Sequence, residues 1–263
     1  MAPLITLTTD FGTSDSYVAE LKGVLLSEGP VGLRVVDLSH DLRPFDVAGA
    51  ALFVRAALPR FPAGTIHLAV VDPGVGSSRR ALIIELPEMT LVGPDNGLFG
   101  YLLDGRELVY QIDPGQLGER TMSRTFHGRD LFAPVAAKLA GAVPAATLGT
   151  RLDSYQRLRL PLIDMQGDVM HGRVIHVDRF GNAITNISDA TLRGFVEPAA
   201  ALRVTVGEHA IDGLSDHYAE AKVGALLALI GGSGLLELAA REESAALKLN
   251  LKVGTTVSVH RRG

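Results

Sequence analysis

Short apolar runs alternate with longer amphipathic stretches over about the first 150 residues, and the period of each predicts its element. Leu4 to Thr9, Leu33 to Val36, Ile66 to Val71, Ala81 to Leu86, Thr90 to Val92 and Glu107 to Ile112 read as strands. Between the first two, Val18, Leu21, Val24 and Leu25 recur at helical spacing behind the capping candidates Asp15 and Ser16. A second helix is predicted from Asp46 to Leu58, where Pro59 stops it, and a third over about Arg129 to Leu139. This alternation predicts an α/β fold, a mainly parallel sheet with helices on both faces. After Leu158 the pattern becomes strand, turn, strand, punctuated by Gly172, Gly181, Gly207, Gly213, Gly231 and Gly254, with one short helical candidate near Glu243 to Leu247. That spacing predicts a smaller antiparallel barrel or sandwich. The expected domains are 1–158 and 159–263.

Composition narrows the function classes. A net charge of −4, with no basic run longer than a pair, gives no electrostatic pull toward nucleic acid. The absence of cysteine removes disulfides, thiolate catalysis and cysteine zinc sites together. The N-terminal stretch lacks a basic region and reaches Asp10 early, unlike a secretory signal. The most apolar segment, Leu131 to Gly149, carries Lys138 and is broken by Pro134 and Pro144, unlike a membrane span. A soluble cytoplasmic protein is expected.

Ligands of open parallel sheets bind beyond the carboxyl ends of the strands. Polar groups recur at those ends: Asp10, then Asp37, Ser39 and His40, then Asp72, then Asp95 and Asn96. Any one of these clusters also suits an ordinary turn. Several in one half of the chain point to a shared binding edge. In Asp72-Pro73-Gly74-Val75-Gly76-Ser77-Ser78-Arg79, a turn returning the arginine would pair it with the carboxylate, the other possibility being a solvated loop. His127, in Thr125-Phe126-His127-Gly128-Arg129-Asp130, precedes a predicted helix, whose dipole disfavours protonation there. In the second half, Phe180 beside Gly181 and Asn182 offers either a purine platform or a plain β-turn.

Taken in order, these segments resemble the S-adenosylmethionine hydroxide adenosyltransferases, relatives of the fluorinase and chlorinase enzymes. The likeness runs through Thr9 to Gly12, Asp15 to Val18 with Lys22-Gly23, Asp72 to Arg79, Pro94 to Gly97, Thr125 to Asp130, Asp178 to Asn182 and Ser233 to Glu237. The resemblance implies an N-terminal α/β domain, a C-terminal β-barrel, and a homotrimer with sites between neighbouring subunits. It implies hydrolysis of S-adenosyl-L-methionine to adenosine and methionine without a cofactor or metal. By similarity Asp72, Arg79 and His127 form the hydrolytic triad. Asp10 would hold the ribose hydroxyls, Phe180 and Asn182 the adenine, and Asp178 with Ser233 the methionine end. Phe11, Asp95, Asn96, Gly128 and Glu237 fall among the substrate-binding positions. Fluorinase has a tyrosine where this chain has Asp72 and a serine where it has Gly128, and a carboxylate beside C5′ would repel a halide.

Two other readings use the same residues. Asp10, His40, Asp72, Asp95 and His127 are metal-ligand types that could cluster as a metallohydrolase site. A non-catalytic adenosine or S-adenosylmethionine binding module would need the pocket without an activated water.

Overall fold

The computed structural model describes residues 2–119, 121–196 and 202–261. The chain divides into two compact units, residues 1–159 and 160–263. The first contains β1 (Leu4–Thr9), α1 (Tyr17–Glu28), β2 (Arg34–Ser39), α2 (Val47–Ala57), β3 (Thr65–Val70), β4 (Ala81–Glu85), β5 (Met89–Pro94), β6 (Leu108–Ile112), α3 (Ala133–Ala140), α4 (Ala145–Leu148) and β7 (Gly149–Leu152). The strands form one seven-stranded sheet in the order β2-β1-β3-β5-β4-β6-β7. From β2 to β5 the neighbours run parallel, and from β5 to β7 antiparallel.

Every residue of β3 is buried, as a central strand covered on both faces requires. Ile66, Leu68 and Val70 join Leu21 and Leu25 of α1 and Val135 and Ala136 of α3 in one core layer. Ala69 and Val71 pack on the opposite face with Ala50 and Val54 of α2. Because α1 and α2 cover opposite faces, the chain reverses direction across the sheet between β1 and β3. Such a switch point opens a crevice at the strand ends, and Asp10 and Asp72 follow those two strands.

Local chemistry explains the helix ends. Asp46 caps α2 by accepting from Gly49 N at 2.9 Å. Ser16 does not cap α1 with its side chain; its hydroxyl donates instead to Glu20 Oε1 at 2.6 Å. The third predicted helix is α3, shortened at its start by a π turn over Gly128–Phe132. Pro134 has no N–H to give to Asp130, and the Ala133 N–H reaches back five residues to Gly128 O.

The second unit contains β8 (Asp164–Gln166), β9 (Val169–Val177), β10 (Ala183–Ser188), α5 (Asp189–Phe195), β11 (Leu202–Val206), β12 (His209–Asp212), β13 (Leu226–Ile230), β14 (Leu235–Ala240), α6 (Ala245–Lys248) and β15 (Thr256–Arg261). Its strands run β12-β11-β15-β9-β10-β14-β13, with β8 pairing to β9, all antiparallel. The sheet curls until Ser215 N, just past β12, donates to Ala228 O of β13 at 2.8 Å, making a nearly closed barrel. Its core is aliphatic, with Met170, Ile187, Leu236, Leu238, Val257 and Val259 among the buried residues. Helix α5 departs from the expected strand-turn pattern; Ser188 Oγ caps it by accepting from Thr191 N at 3.1 Å. Among the described residues no helix is long and apolar enough to cross a membrane.

Candidate functional site

The loop after β3 folds back on itself. Gly76, at φ +77°, lies so close to Arg124 that a Cβ would meet its carbonyl oxygen at 2.3 Å, so only glycine fits. The fold-back returns Arg79 to Asp72. Arg79 Nε donates to both Asp72 oxygens at 2.9 Å, and Nη2 makes a further short contact with Oδ2. Nη2 also lies 2.9 Å from His127 Nδ1, so one guanidinium joins all three side chains. The pair is buried, the Arg79 and Asp72 side chains being 8% and 5% exposed, which rules out the solvated loop. The Arg79 guanidinium also stands over the Phe132 ring, 5.1 Å from its centroid.

An arginine nitrogen can only donate, so His127 Nδ1 accepts and a neutral ring carries its proton on Nε2. Burial pushes the His127 pKa below its ordinary value, and the charge of Arg79 adds to that; Asp72 and Asp130 oppose it. Burial and Arg79 thus both favour the neutral imidazole anticipated from the sequence.

Asp72 and His127 line a cleft of about 570 Å³ together with Asp10, Phe11, Tyr17, Phe45, Phe126 and Gly128. Asp10 Oδ2 accepts from Phe45 N at 2.9 Å, which fixes one carboxylate oxygen. Phe11, Tyr17 and Phe126 pack edge to face, with centroids 5.2–6.0 Å apart. Gly128 sits between two of these rings, and a Cβ there would lie 3.2 Å from both Phe11 and Phe126.

Asp95 and Asn96 do not line this cleft. Asp95 is buried against Arg80, with Nε 2.7 Å from Oδ2, while its Oδ1 accepts from Gln156 N at 2.7 Å. Asn96 Nδ2 donates to Val71 O at 2.8 Å. Both groups are consumed by the framework, and Asn96 pins the peptide immediately before Asp72.

The barrel unit has its own cavity, about 630 Å³, lined by Asp178, Phe180, Asn182, Tyr218, Ala240, Glu242, Glu243 and Ser244. Asp178 Oδ1 accepts from Phe180 N and Asn182 N at 2.9 Å, and Oδ2 accepts from Asn182 Nδ2 at 3.0 Å. This turn leaves Phe180 78% exposed along the cavity. Gly181, at φ +84°, abuts Ser244 Oγ, which a Cβ would meet at 2.0 Å. Glu237 lies behind the wall and accepts from Tyr218 OH at 3.1 Å. Burial, reinforced by Asp178, raises the Glu237 carboxyl above its usual range, while burial and then the neighbouring Glu237 charge and hydrogen bond drive the Tyr218 phenol up to about 12. Ser233 is exposed on the turn between β13 and β14 and lines neither cavity.

Tyr17 and Phe45 line the cleft and Tyr218 the barrel cavity, although the sequence does not mark them as site residues. Tyr17 falls within a motif already noted, but nothing in the spacing around Phe45 or Tyr218 marks them as cavity walls. His40 does not line the cleft; its Nδ1 lies 2.8 Å from Thr9 Oγ1 and its Nε2 3.1 Å from Asp37. Among the described residues no three His, Asp or Glu side chains gather as a metal-holding group.

Residues 5–149 match the SAM hydroxide adenosyltransferase N-terminal domain, and residues 172–258 its C-terminal domain. A protein of Thermus thermophilus named (R)-S-adenosyl-L-methionine hydrolase is 42% identical, the match covering 98% of this chain and 99% of the relative. A fluorinase of Nocardia brasiliensis is 28% identical over 98% of this chain and 96% of its own length. The crystal structure of an uncharacterized conserved protein from Thermotoga maritima superimposes with a TM-score of 0.88 at 33% identity, covering 98% of this chain and all of that one. With both domains matched in order across a strand-end cleft and a barrel cavity, the chain belongs to the SAM hydroxide adenosyltransferase family.

Proposed function

We propose that this protein hydrolyses S-adenosyl-L-methionine to adenosine and L-methionine, the R sulfonium of its Thermus relative's name being the form to test first. The observation that carries the reading is the Asp72, Arg79 and His127 relay, with Asp72 and His127 facing a cleft large enough for a nucleoside. The substrate's C5′ bears a sulfonium, so a neutral thioether can leave and the demanding task is to orient water. Water oxygen forms a bond to C5′ as the C5′–S bond breaks, its electron pair passing to sulfur. The water gives up a proton. Asp72 Oδ1 is the less committed carboxylate oxygen, since Oδ2 receives two arginine nitrogens, and it accepts that proton. His127 Nε2–H donates to the water oxygen and sets its direction. Arg79 holds both groups and keeps the carboxylate in place.

Asp10 binds the ribose hydroxyls with the oxygen that Phe45 leaves free. Phe180 and Asn182 receive the adenine, while Asp178 and Ser233 meet the methionine ammonium and carboxylate. Phe11 and Gly128 shape the space around C5′, and Glu237 anchors Tyr218 at the barrel cavity. Asp95 and Asn96 act from outside the cleft, Asn96 by holding the peptide that leads into Asp72 and Asp95 by holding Arg80 beside Arg79. The active assembly is a homotrimer in which neighbouring copies share each site, and the enzyme works in the cytoplasm. A carboxylate at position 72 attracts the sulfonium and repels a halide ion, which favours hydrolysis over halogenation.

Chromatography of the products in oxygen-labelled water tests this reading. Adenosine carrying the label at its 5′ hydroxyl is expected, and Asp72→Ala or His127→Ala should each cut turnover by roughly a hundredfold or more. Unchanged adenosine release in both variants, or a 5′-chloro product dominating in chloride, would overturn it.

A further inference from the structure

His127 stands immediately before an irregular π turn rather than at the start of a regular helix, so something besides the helical hydrogen-bond ladder must fix it. Arg129 is the side chain built for that. Its Nε and Nη2 grip Asp130 Oδ1 and Oδ2 at 2.7 and 2.9 Å, and Nη1 reaches Glu20 Oε2 on α1 at 2.7 Å. Its guanidinium also lies over Phe126, 5.0 Å from the ring centroid. Each contact is anchored at its far end. Ser16 donates to Glu20 Oε1 at 2.6 Å, Asp130 Oδ2 accepts from Ser123 N at 2.8 Å, and Asp130 N donates to Phe126 O at 3.2 Å. One cation thus ties the start of α1, the 123–126 segment and the π turn together on the wall of the cleft, where Glu20 and Arg129 are both lining residues.

We propose that Arg129 is a positioning residue for His127: it straps the histidine's turn to α1 and masks the Asp130 carboxylate from the imidazole. The proposal rests on the catalytic reading of His127 given above. Within the site, Asp72 and Arg79 face His127 from the loop after β3, Asp130 and Arg129 from its own turn, and Glu20 from α1 through Arg129. Asp130 favours imidazolium, whereas burial and Arg79 disfavour it. Deleting the Arg129 charge exposes Asp130 and makes protonation easier. Deleting the Asp130 charge does the reverse.

Three variants and one control decide the matter, read by kcat and KM against pH and by NMR titration of the His127 ring. Arg129→Met should lower kcat roughly tenfold to a hundredfold with KM little changed, as misplacement of a reacting group does, and should move the acid limb and the His127 titration to higher pH. Asp130→Asn should move both to lower pH. Arg129→Lys keeps the charge but not the fork, so kcat falls while the titration stays in place. Loosening of the turn alone would not drive the first two variants in opposite directions. Shifts of the same sign, or no shift, overturn the proposal, and Arg129→Lys with Asp130→Asn carries the comparison if Arg129→Met does not fold. His127→Ala separates the two levels. If it is inactive while Arg129→Met behaves as wild type, the Arg129 proposal fails alone; if it turns over normally, the catalytic reading fails and takes the proposal with it.

Discussion

His67 lies in the middle of β3, buried, with Nδ1 2.6 Å from Thr6 Oγ1 and Phe61 packed edge-on 5.9 Å away. Burial pushes its pKa down to about 4 from an ordinary 6.5. The unfolded chain therefore binds the proton more readily than the folded one. Its contribution is fully present above pH 6.5, declines as pH falls, and is lost below about 4, a swing on the order of 3 kcal/mol. Urea unfolding at pH 7 and pH 5 should reveal the decline, and His67→Gln should flatten it. At this same scale the sequence was informative about identity and silent about pairing. Asp72, Arg79 and His127 are legible as motif members, but that one guanidinium serves both partners depends on a 48-residue separation closed only by the fold. Asp95 and Asn96 looked like cleft residues because they end a strand; the antiparallel β4 brings Arg80 alongside and claims the aspartate. Phe45 and Tyr218 carried no pattern at all, since each becomes a wall only through neighbours distant in sequence.

Helices α1 and α2 were readable because an apolar stripe, a polar N-terminal residue and a following breaker agreed with one another. The α2 cap is a direct consequence: Asp46→Ala removes the acceptor for Gly49 N and should cost about 1 kcal/mol in chemical denaturation, with Asp46→Asn nearly neutral. Where local signals conflict, the sequence is a poorer guide. The segment 189–195 is only seven residues long, includes Gly194 and follows a strand directly, so its helical character depends on the Ser188 cap and on burying Leu192 and Phe195 against the barrel. The π turn at 128–132 is likewise invisible to a 3.6-residue period, although Pro134 signals that the ladder must change there.

At the scale of the whole molecule, the sequence shifts from alternating strands and helices to strand-turn-strand, and the structure has a sheet unit with a core layer on each face and a barrel unit with a core of its own. Quaternary structure has no such periodic signature. The proposed homotrimer predicts a species of three times the 27.8 kDa chain mass by light scattering, and activity that falls on dilution once the assembly separates. A monomer with undiminished turnover would refute shared sites while leaving the chemistry of the cleft intact.

Arg79 stands between two acceptors, a carboxylate and a ring nitrogen, with little water around it. Removing the carboxylate alone strands a buried cation, a change that typically costs about 3–5 kcal/mol. Evolution toward another nucleophile therefore crosses a valley in which a change at position 72 carries that cost for as long as Arg79 stays the same. The two positions are therefore expected to be epistatic: the double change Asp72→Ala with Arg79→Met should cost less stability than the sum of the two single changes.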